Sequence, residues 1–575
     1  MSTTLSHLVV GEASFSGVKE LGPLLHLQGT LCISRWENVI EPRDARDAKL
    51  IEKSGLDGLL LEWSDNLKES KDRTCELDIL SMLHLAGTLK ELIIRCYDGT
   101  RFPSWLRYSS FPNMVLLRIE NCKKCTSLPP IGQLPSLKDL SIEGMASVKN
   151  IGAEFYGENC QQTFRSLETL YFKGMGEWEN WISYGEFPHL QKLFIGDCPK
   201  LLGKLPNHLP LLEKVVIYGC WQMVVSISSF PELCQVEIDR SKGVVCGGKV
   251  NFNSLNFMSL STISEFNCRI KGSAMDGLTK AEDLAIFMCK DLTHLWSHDV
   301  GSLPQLPCLR VLKIEDCIKL VSLVAEEVEE QLQLGMPSML REIKIRNCIV
   351  LQSLPKAMVY NNTCLECIQI VKCDSLLYFA EVQLPPTLKR LEIIHCKNML
   401  VLLNGDDTNC SSSNTSLLEY LYIENCPSLK SLTSSGELPV TLKQLSIRYC
   451  QKLETIAKRF HHNSFLEVIR ISSCESLVSL PMGILSLCHL DEIDICNCAT
   501  LVCFPEEELL TSNLRLLQIS GCEKMQALPN CIHGLTSLQE LQIKACPGIL
   551  FFPEEGFPIN LRSLVISDLN ITEAL

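Results

Sequence analysis

The sequence predicts an α/β repeat solenoid, with a continuous parallel β-sheet on a concave face and loop or 3-10 returns on the convex face. Three observations predict it. Cys450, Cys474, Cys498, Cys522 and Cys546 recur at a constant step of 24 residues. Each follows an alternation of the kind seen in "LEVIRISSC" and "LDEIDICNC", and a period of two marks a strand with one buried face. Each is followed by apolar residues three and six positions on and, in most copies, by a proline, which cannot continue a ladder and fixes a return turn.

The shared frame is L-x-x-L-x-I-x-x-C-x-x-L-x-x-L/F-P, the leucine-rich repeat, so the solenoid is expected to be a leucine-rich-repeat horseshoe. In the stretch at Cys474, Ile469 and Ile471 are expected to point into the core. Val468, Arg470 and Ser472 are expected to point outward. One such strand is too short to be stable alone and pairs with the strands of its neighbours. The same frame runs upstream with looser spacing through Cys122, Cys198, Cys220, Cys317, Cys348, Cys373, Cys396 and Cys426, and Met145 and Met175 replace the cysteine in two copies. Residues 1–110 read as irregular N-terminal repeats and 111–575 as the array proper. Within it, about 236–289 is the least regular part and 442–575 keeps the clearest 24-residue period. With strands ~4.8 Å apart, about eighteen repeats would give a sheet on the order of 85–90 Å long.

Composition narrows the function. The chain has 575 residues, 46% of them hydrophobic and 21% charged, so it has ample material for a core. Its net charge of −14 argues against general binding to nucleic acid or anionic membranes. No run approaches ~18 apolar residues, so no membrane span is expected. The start, "MSTTLSHLVVGEASF", lacks a basic region and a long apolar run, so the expected location is cytoplasmic and the 30 cysteines are expected to stay thiols. Sequons at Asn361, Asn409, Asn414 and Asn570 matter only in an exported chain.

Chemical motifs are few. The pairs Cys122/Cys125 and Cys364/Cys367 are C-x-x-C, but a zinc site needs two such pairs close together, and these lie in distant repeats. "GVVCGGKV" at 243–250 nearly matches a phosphate-binding loop, with Val250 where the metal-binding hydroxyl belongs. "HLWSH" at 294–298 has helical ligand spacing without the glutamate of H-E-x-x-H, and His461 and His462 read as a solvated turn. No catalytic residue, metal or cofactor is expected.

Three blocks carry a resemblance. They are "LHLQGTLCISRWENVIEPRDARDAKLIEKSGLDGLLLEWSDN" at 25–66, "TLKELIIRCYDGTRFPSWL" at 88–106, and "LRIENCKKCTSLPPIGQLPSLKDLSIEGMASVKNIGAEFYG" at 117–157. They resemble the leucine-rich-repeat region of plant intracellular disease-resistance proteins of the coiled-coil, nucleotide-binding type. The resemblance implies a module that restrains a nucleotide-binding switch and senses a pathogen effector, or a host protein the effector alters. The chain departs from the full pattern. It shows no complete phosphate-binding loop, ATPase region or coiled coil. It is expected to be truncated at both ends, starting among the repeats and stopping inside one at Leu575. The alternative is a leucine-rich-repeat substrate adaptor of a ubiquitin ligase, which an F-box would favour. A receptor ectodomain would need a signal peptide and L-x-G-x-I-P repeats.

Outward strand positions are free of packing duty and form the expected protein-binding surface. They include an aromatic group (Tyr171, Phe194, Val216 and Tyr218) and a basic group near Glu315 (Lys313, Lys344 and Arg346). A third group comprises Tyr420 and Tyr422 with Arg448 and Arg470.

Overall fold

The structure is a computed structural model. It describes residues 5–11, 17–65, 76–106, 111–157, 163–203, 205–206, 208–226, 230–245, 255–263, 281–296, 308–324, 339–355, 362–380, 384–403, 416–433, 436–461, 464–505 and 513–570. The chain divides into two compact units, Met1–Ala281 and Glu282–Leu575.

Each unit is built on a parallel ladder of short strands. In the first the ladder runs through His7–Val9, Gly29–Ser34, Leu56–Glu62, Glu91–Arg95, Leu116–Glu120, Asp139–Glu143, Thr169–Lys173, Lys192–Gly196, Lys214–Tyr218, Gln235–Asp239 and Phe257–Ser261. In the second it runs through Asp283–Phe287, Val311–Glu315, Glu342–Arg346, Cys367–Val371, Arg390–Ile394, Tyr420–Glu424, Gln444–Arg448, Val468–Ser472, Glu492–Cys496, Leu516–Ser520, Glu540–Lys544 and Ser563–Ser567. Most pairs are in register residue for residue, so the apolar rows of successive repeats stack. Ile469 and Ile471 are 1% exposed, while Val468, Arg470 and Ser472 are half-buried and face outward, as the alternation requires. Burying two such aliphatic side chains per strand contributes about 1.5–3 kcal/mol each before the entropy of ordering them.

The ladders hold more strands than the eighteen or so repeats expected. The cysteine frame undercounts where other residues fill its position. Trp36, Trp63 and Tyr97 stand there in the first repeats, and their rings pack in series at 5.8 and 5.1 Å between centroids. Ser241 and Ile263 do the same near the irregular region, which nonetheless supplies ladder strands. Elsewhere Cys122, Cys198, Cys474 and their counterparts are fully buried, as are Met145 and Met175. The thiol of Cys474 donates to the Ser472 carbonyl two residues back at 3.6 Å, and Cys122 does so to Glu120 at 3.5 Å. The described cysteines are free thiols.

The residue just before this buried position is left-handed in nearly every repeat. Asn121, Asp197, Asn347, Asn425 and Asn497 have φ of 56, 50, 52, 50 and 54°. That twist turns the chain off the sheet while the N–H still reaches the next repeat: Asn497 donates to the Ser520 carbonyl at 2.7 Å.

The returns are not only loops and 3-10 turns. Short parallel strands stack behind the main ladder: Asn150–Ile151 with Asn180–Trp181, Val224–Ser226 with Gly243–Val245, His294–Trp296 with Ser322–Val324, and Tyr378–Ala380, Val401–Leu403 and Ser431–Thr433 in series. Where consecutive returns run extended side by side, their backbone groups pair with each other instead of with water. The 3-10 turns Ile484–Ser486 and Ile532–Gly534 occur in the most regular repeats. In the first unit short helices, Pro42–Asp47 and Glu76–Met82, fill the return side. There the ammonium of Lys53, 0% exposed, donates to the carbonyls of Leu21 at 2.6 Å and Leu24 at 3.0 Å, and burial holds its pKa below the ordinary lysine range. Among the described residues no helix is long and apolar enough to cross a membrane.

Candidate protein-interaction surface

In the first unit the register brings the expected aromatic group together. Phe194 stands opposite Tyr171 on one neighbouring strand and Val216 on the other. The rings of Tyr171 and Phe194 lie 5.8 Å apart, tilted by 46°. Tyr218 reaches the group from two strands away, and its hydroxyl lies 3.4 Å from that of Tyr171. The reason is Gly196, which stands directly beside Tyr218, on the strand that separates those of Tyr171 and Tyr218. A Cβ at Gly196 would fall 2.2 Å from Cζ of Tyr218, so the phenol ring occupies the space that a side chain would take. The group is half-buried and solvent-facing. Burial pushes the Tyr171 phenol up to about 12, helped by the Tyr218 hydroxyl and the Glu143 carboxylate, so Tyr171 is a neutral hydrogen-bonding group at neutral pH. Lys192, on the same strand, and Lys214 border the patch where the strands begin, and Lys214 is held by Glu237 at 2.8 Å.

In the second unit the basic group is less free than its residue types imply. Lys313 and Lys344 are directly opposite, as are Glu315 and Arg346. Lys344, however, is bound 2.7 Å from Glu342 of its own strand. Arg346 remains exposed.

Tyr420 and Tyr422 stack at 6.4 Å with 10° between planes. Arg390, from the preceding strand, lies 4.1 Å over the Tyr420 ring, and Arg448, from the following strand, lies 6.0 Å over Tyr422. Arg390 is tied to Glu392 at 2.6 Å, and Glu392 also accepts from Gln369 at 2.6 Å. The Tyr422 hydroxyl donates to Glu424, and burial followed by that carboxylate pushes its phenol up to about 12. Arg470 faces outward, but both arms of its guanidinium are taken by Glu492 at 2.8 and 3.0 Å. It therefore does not present a free charge. Gly196, Arg390, Glu392 and Glu492 complete these groups and escaped the sequence reading. The signal for Glu492 was present in its cross-strand pairing with Arg470, an unlike charge, whereas Glu392 meets Arg390 two residues away on its own strand.

The motifs with possible chemistry fall apart. Cys122 and Cys125 are both buried, and Cys125 donates to the Gly99 carbonyl at 3.1 Å. Cys367 lies at an outward position at the start of its strand. Among the described residues no group of three or more His, Cys, Asp or Glu could hold a metal ion. Gly243–Val245 is a return strand, and residues 246–250 lie outside the described residues. His294 also lies on a return strand, not a helix, while His298, His462, Asn361, Asn409 and Asn414 lie outside the described residues.

Residues 18–145 match the family described as R13L1/DRL21 LRRs. The chain is 32% identical, over 79% of its length, to "Putative disease resistance protein At3g14460" of Arabidopsis thaliana, of which it covers 38%. It is 33% identical, over 52% of its length, to "Putative disease resistance RPP13-like protein 1" of the same plant, of which it covers 30%. The chain thus spans well under half the length of these relatives. Among solved structures, "Crystal structure of TLR13-ssRNA13 complex" aligns with 99% of this chain and 78% of that one, at 16% identity and a TM-score of 0.41. The repeat ladder and these relatives together identify the chain as a leucine-rich-repeat chain related to plant disease resistance proteins.

Proposed function

We propose that this chain is a non-catalytic protein-recognition module of plant defence, working in the cytoplasm. The outward face of its sheet binds a pathogen effector or a host protein that the effector alters. In a full-length relative the same repeats also restrain a nucleotide-binding domain at rest. The observation that carries this reading is the convergence of Tyr171, Phe194 and Tyr218 on one face. The inward rows are consumed by packing, whereas these rings are held toward solvent by neighbours in register. Rigid, partly exposed aromatic side chains are favoured anchors of protein interfaces because they bury much area at little entropic cost. The names of the relatives supply the setting, and nothing in the rows of the sheet calls for a small-molecule substrate.

The test is a binding assay against a protein partner of the wild-type chain, using the variant with Tyr171, Phe194 and Tyr218 all changed to Ser. A control variant carries Leu377→Ser and Leu400→Ser, at exposed apolar positions beyond the buried cysteines. Loss of about 2 kcal/mol or more of binding in the first and none in the second is expected. Unchanged affinity in the triple variant removes the patch from the recognition surface.

A further inference from the structure

We propose that the cleft at the strand-entry rim of the last ladder strands of the second unit binds a small hydroxylated anion, a sugar acid or a sugar phosphate, with Arg562 holding its acidic group. The site is separate from the aromatic face and does not depend on the reading of that face. Two rows of residues that recur along the ladder build the rim. The first is the residue just before each strand. There a cation repeatedly meets a carboxylate at the same place in the neighbouring repeat: Lys138 with Glu168 at 2.7 Å, Lys389 with Glu366 at 3.2 Å, Lys443 with Glu419 at 3.3 Å, and Arg515 with Asp491. Arg562 holds this place before Ser563–Ser567, but its neighbour before Glu540–Lys544 is Gln539, which brings no charge. The exposed guanidinium of Arg562 has no ion pair among the described residues.

The second row lies three residues before each strand. Its side chain repeatedly donates to a carbonyl of the preceding repeat, as Ser136 does to Pro112 and Ser166 to Pro135, both at 2.7 Å. Asn513 donates in this way to Cys488 at 2.5 Å and Asn560 to Thr536 at 2.7 Å. Each spends its amide nitrogen and keeps its carboxamide oxygen as an acceptor. Ser537, between them in the row, makes no such bond among the described residues. The two rows meet in a cleft of about 540 Å³, within the ~300–1,000 Å³ of small-molecule sites. Every side chain that lines it is polar, which excludes an apolar ligand. Asp491 is held by Arg515, so that pair brings no net charge and Arg562 sets the sign of the cleft. An oxyanion takes the planar fork of Arg562 in a charge-assisted, bidentate bond. The Ser537 hydroxyl and the Gln539 amide add neutral donors, while the oxygens of Asn513 and Asn560 call for hydroxyl groups on the ligand. A bare anion leaves those oxygens unanswered, and a neutral sugar leaves Arg562 unanswered. A molecule that carries both an acid and hydroxyls satisfies the whole lining.

The experiment titrates the full chain with glucuronate, glucose-6-phosphate, glucose and inorganic phosphate, by isothermal titration calorimetry at low ionic strength. Wild type is compared with Arg562→Gln, Ser537→Ala and a control, Arg341→Gln, at the same rim place before Glu342–Arg346. Far-UV circular dichroism confirms that each variant keeps its fold. At least one of the two anionic sugars is expected to bind with a Kd below about 1 mM, and which one binds names the acidic group. Glucose and inorganic phosphate are each expected to bind weaker by about tenfold or more. Arg562→Gln is expected to weaken the anionic sugar about tenfold and Ser537→Ala about threefold, with no change in Arg341→Gln. Absence of binding by both anionic sugars overturns the site. Glucose bound as tightly removes the role of Arg562, and inorganic phosphate bound as tightly removes the role of the hydroxyls; either result overturns the proposal. Binding that Arg562→Gln leaves unchanged, or that Arg341→Gln weakens equally, places the anion elsewhere and also overturns it. None of these outcomes touches the aromatic face, which its own binding assay tests.

Discussion

At the scale of the residue, the most constrained position is the one before the buried spine. It needs φ near +50° in repeat after repeat, which suits Asn, Asp and Gly and strains other side chains. The sequence displays this in "ENC", "GDC", "YGC", "RNC" and "SGC". The cysteine draws attention away from its neighbour, although the neighbour makes the turn. Ala545, at φ 49°, breaks the preference. Ala545→Gly is therefore expected to raise the unfolding free energy by about 0.5–1 kcal/mol, relief of left-handed strain outweighing the added freedom of the unfolded chain. Urea unfolding of the two proteins measures it. A variant less stable than the parent removes strain at this position as a factor in stability.

At the scale of the element, the repeat strand is legible because its alternation fixes two buried residues on one face of each strand, and the spine residue that follows sets its register. What was not legible is the return. Its short second sheets depend on consecutive returns running extended together, which no single repeat encodes. The spine itself makes a prediction about pH. Burial pushes the thiols of Cys122 and Cys373 up to about 12, whereas an unfolded cysteine titrates near ~8.5. Below about 8.5 the proton is held in both states and the full stability is present. As pH rises from there toward the folded value, the unfolded chain loses the proton first, so stability falls, at about 1.4 kcal/mol per pH unit per thiol. Cys220, Cys396 and Cys450 are held lower by a hydrogen bond from an adjacent spine thiol, so the expectation rests on Cys122 and Cys373. Urea midpoints should drop between about pH 8 and pH 10, and less steeply in Cys122→Ala with Cys373→Ala. Equal slopes in the two proteins would contradict this account of the spine.

At the scale of the whole molecule, the ladder, its faces and the likeness to disease-resistance repeats could all be read from the sequence, because they rest on periodic rows. The state of individual side chains on the outward face could not. Register showed that Tyr171, Phe194 and Val216 would meet, but not that Gly196 would let Tyr218 lie across to join them. Arg470 looked like a free cation until its strand was set beside Glu492. The surface is thus a set of prearranged groups, and the proposed recognition by a partner depends on that arrangement. Gly196→Ala tests the claim most directly, since it removes no contact group and adds one methyl beneath a movable ring. The measurement is the affinity of the same protein partner for wild type and Gly196→Ala, with thermal unfolding recorded alongside. The account predicts a loss of about tenfold or more in affinity with an unfolding midpoint close to that of wild type. Full affinity in Gly196→Ala, with the Tyr171–Tyr218 contact shown to be broken, would contradict it.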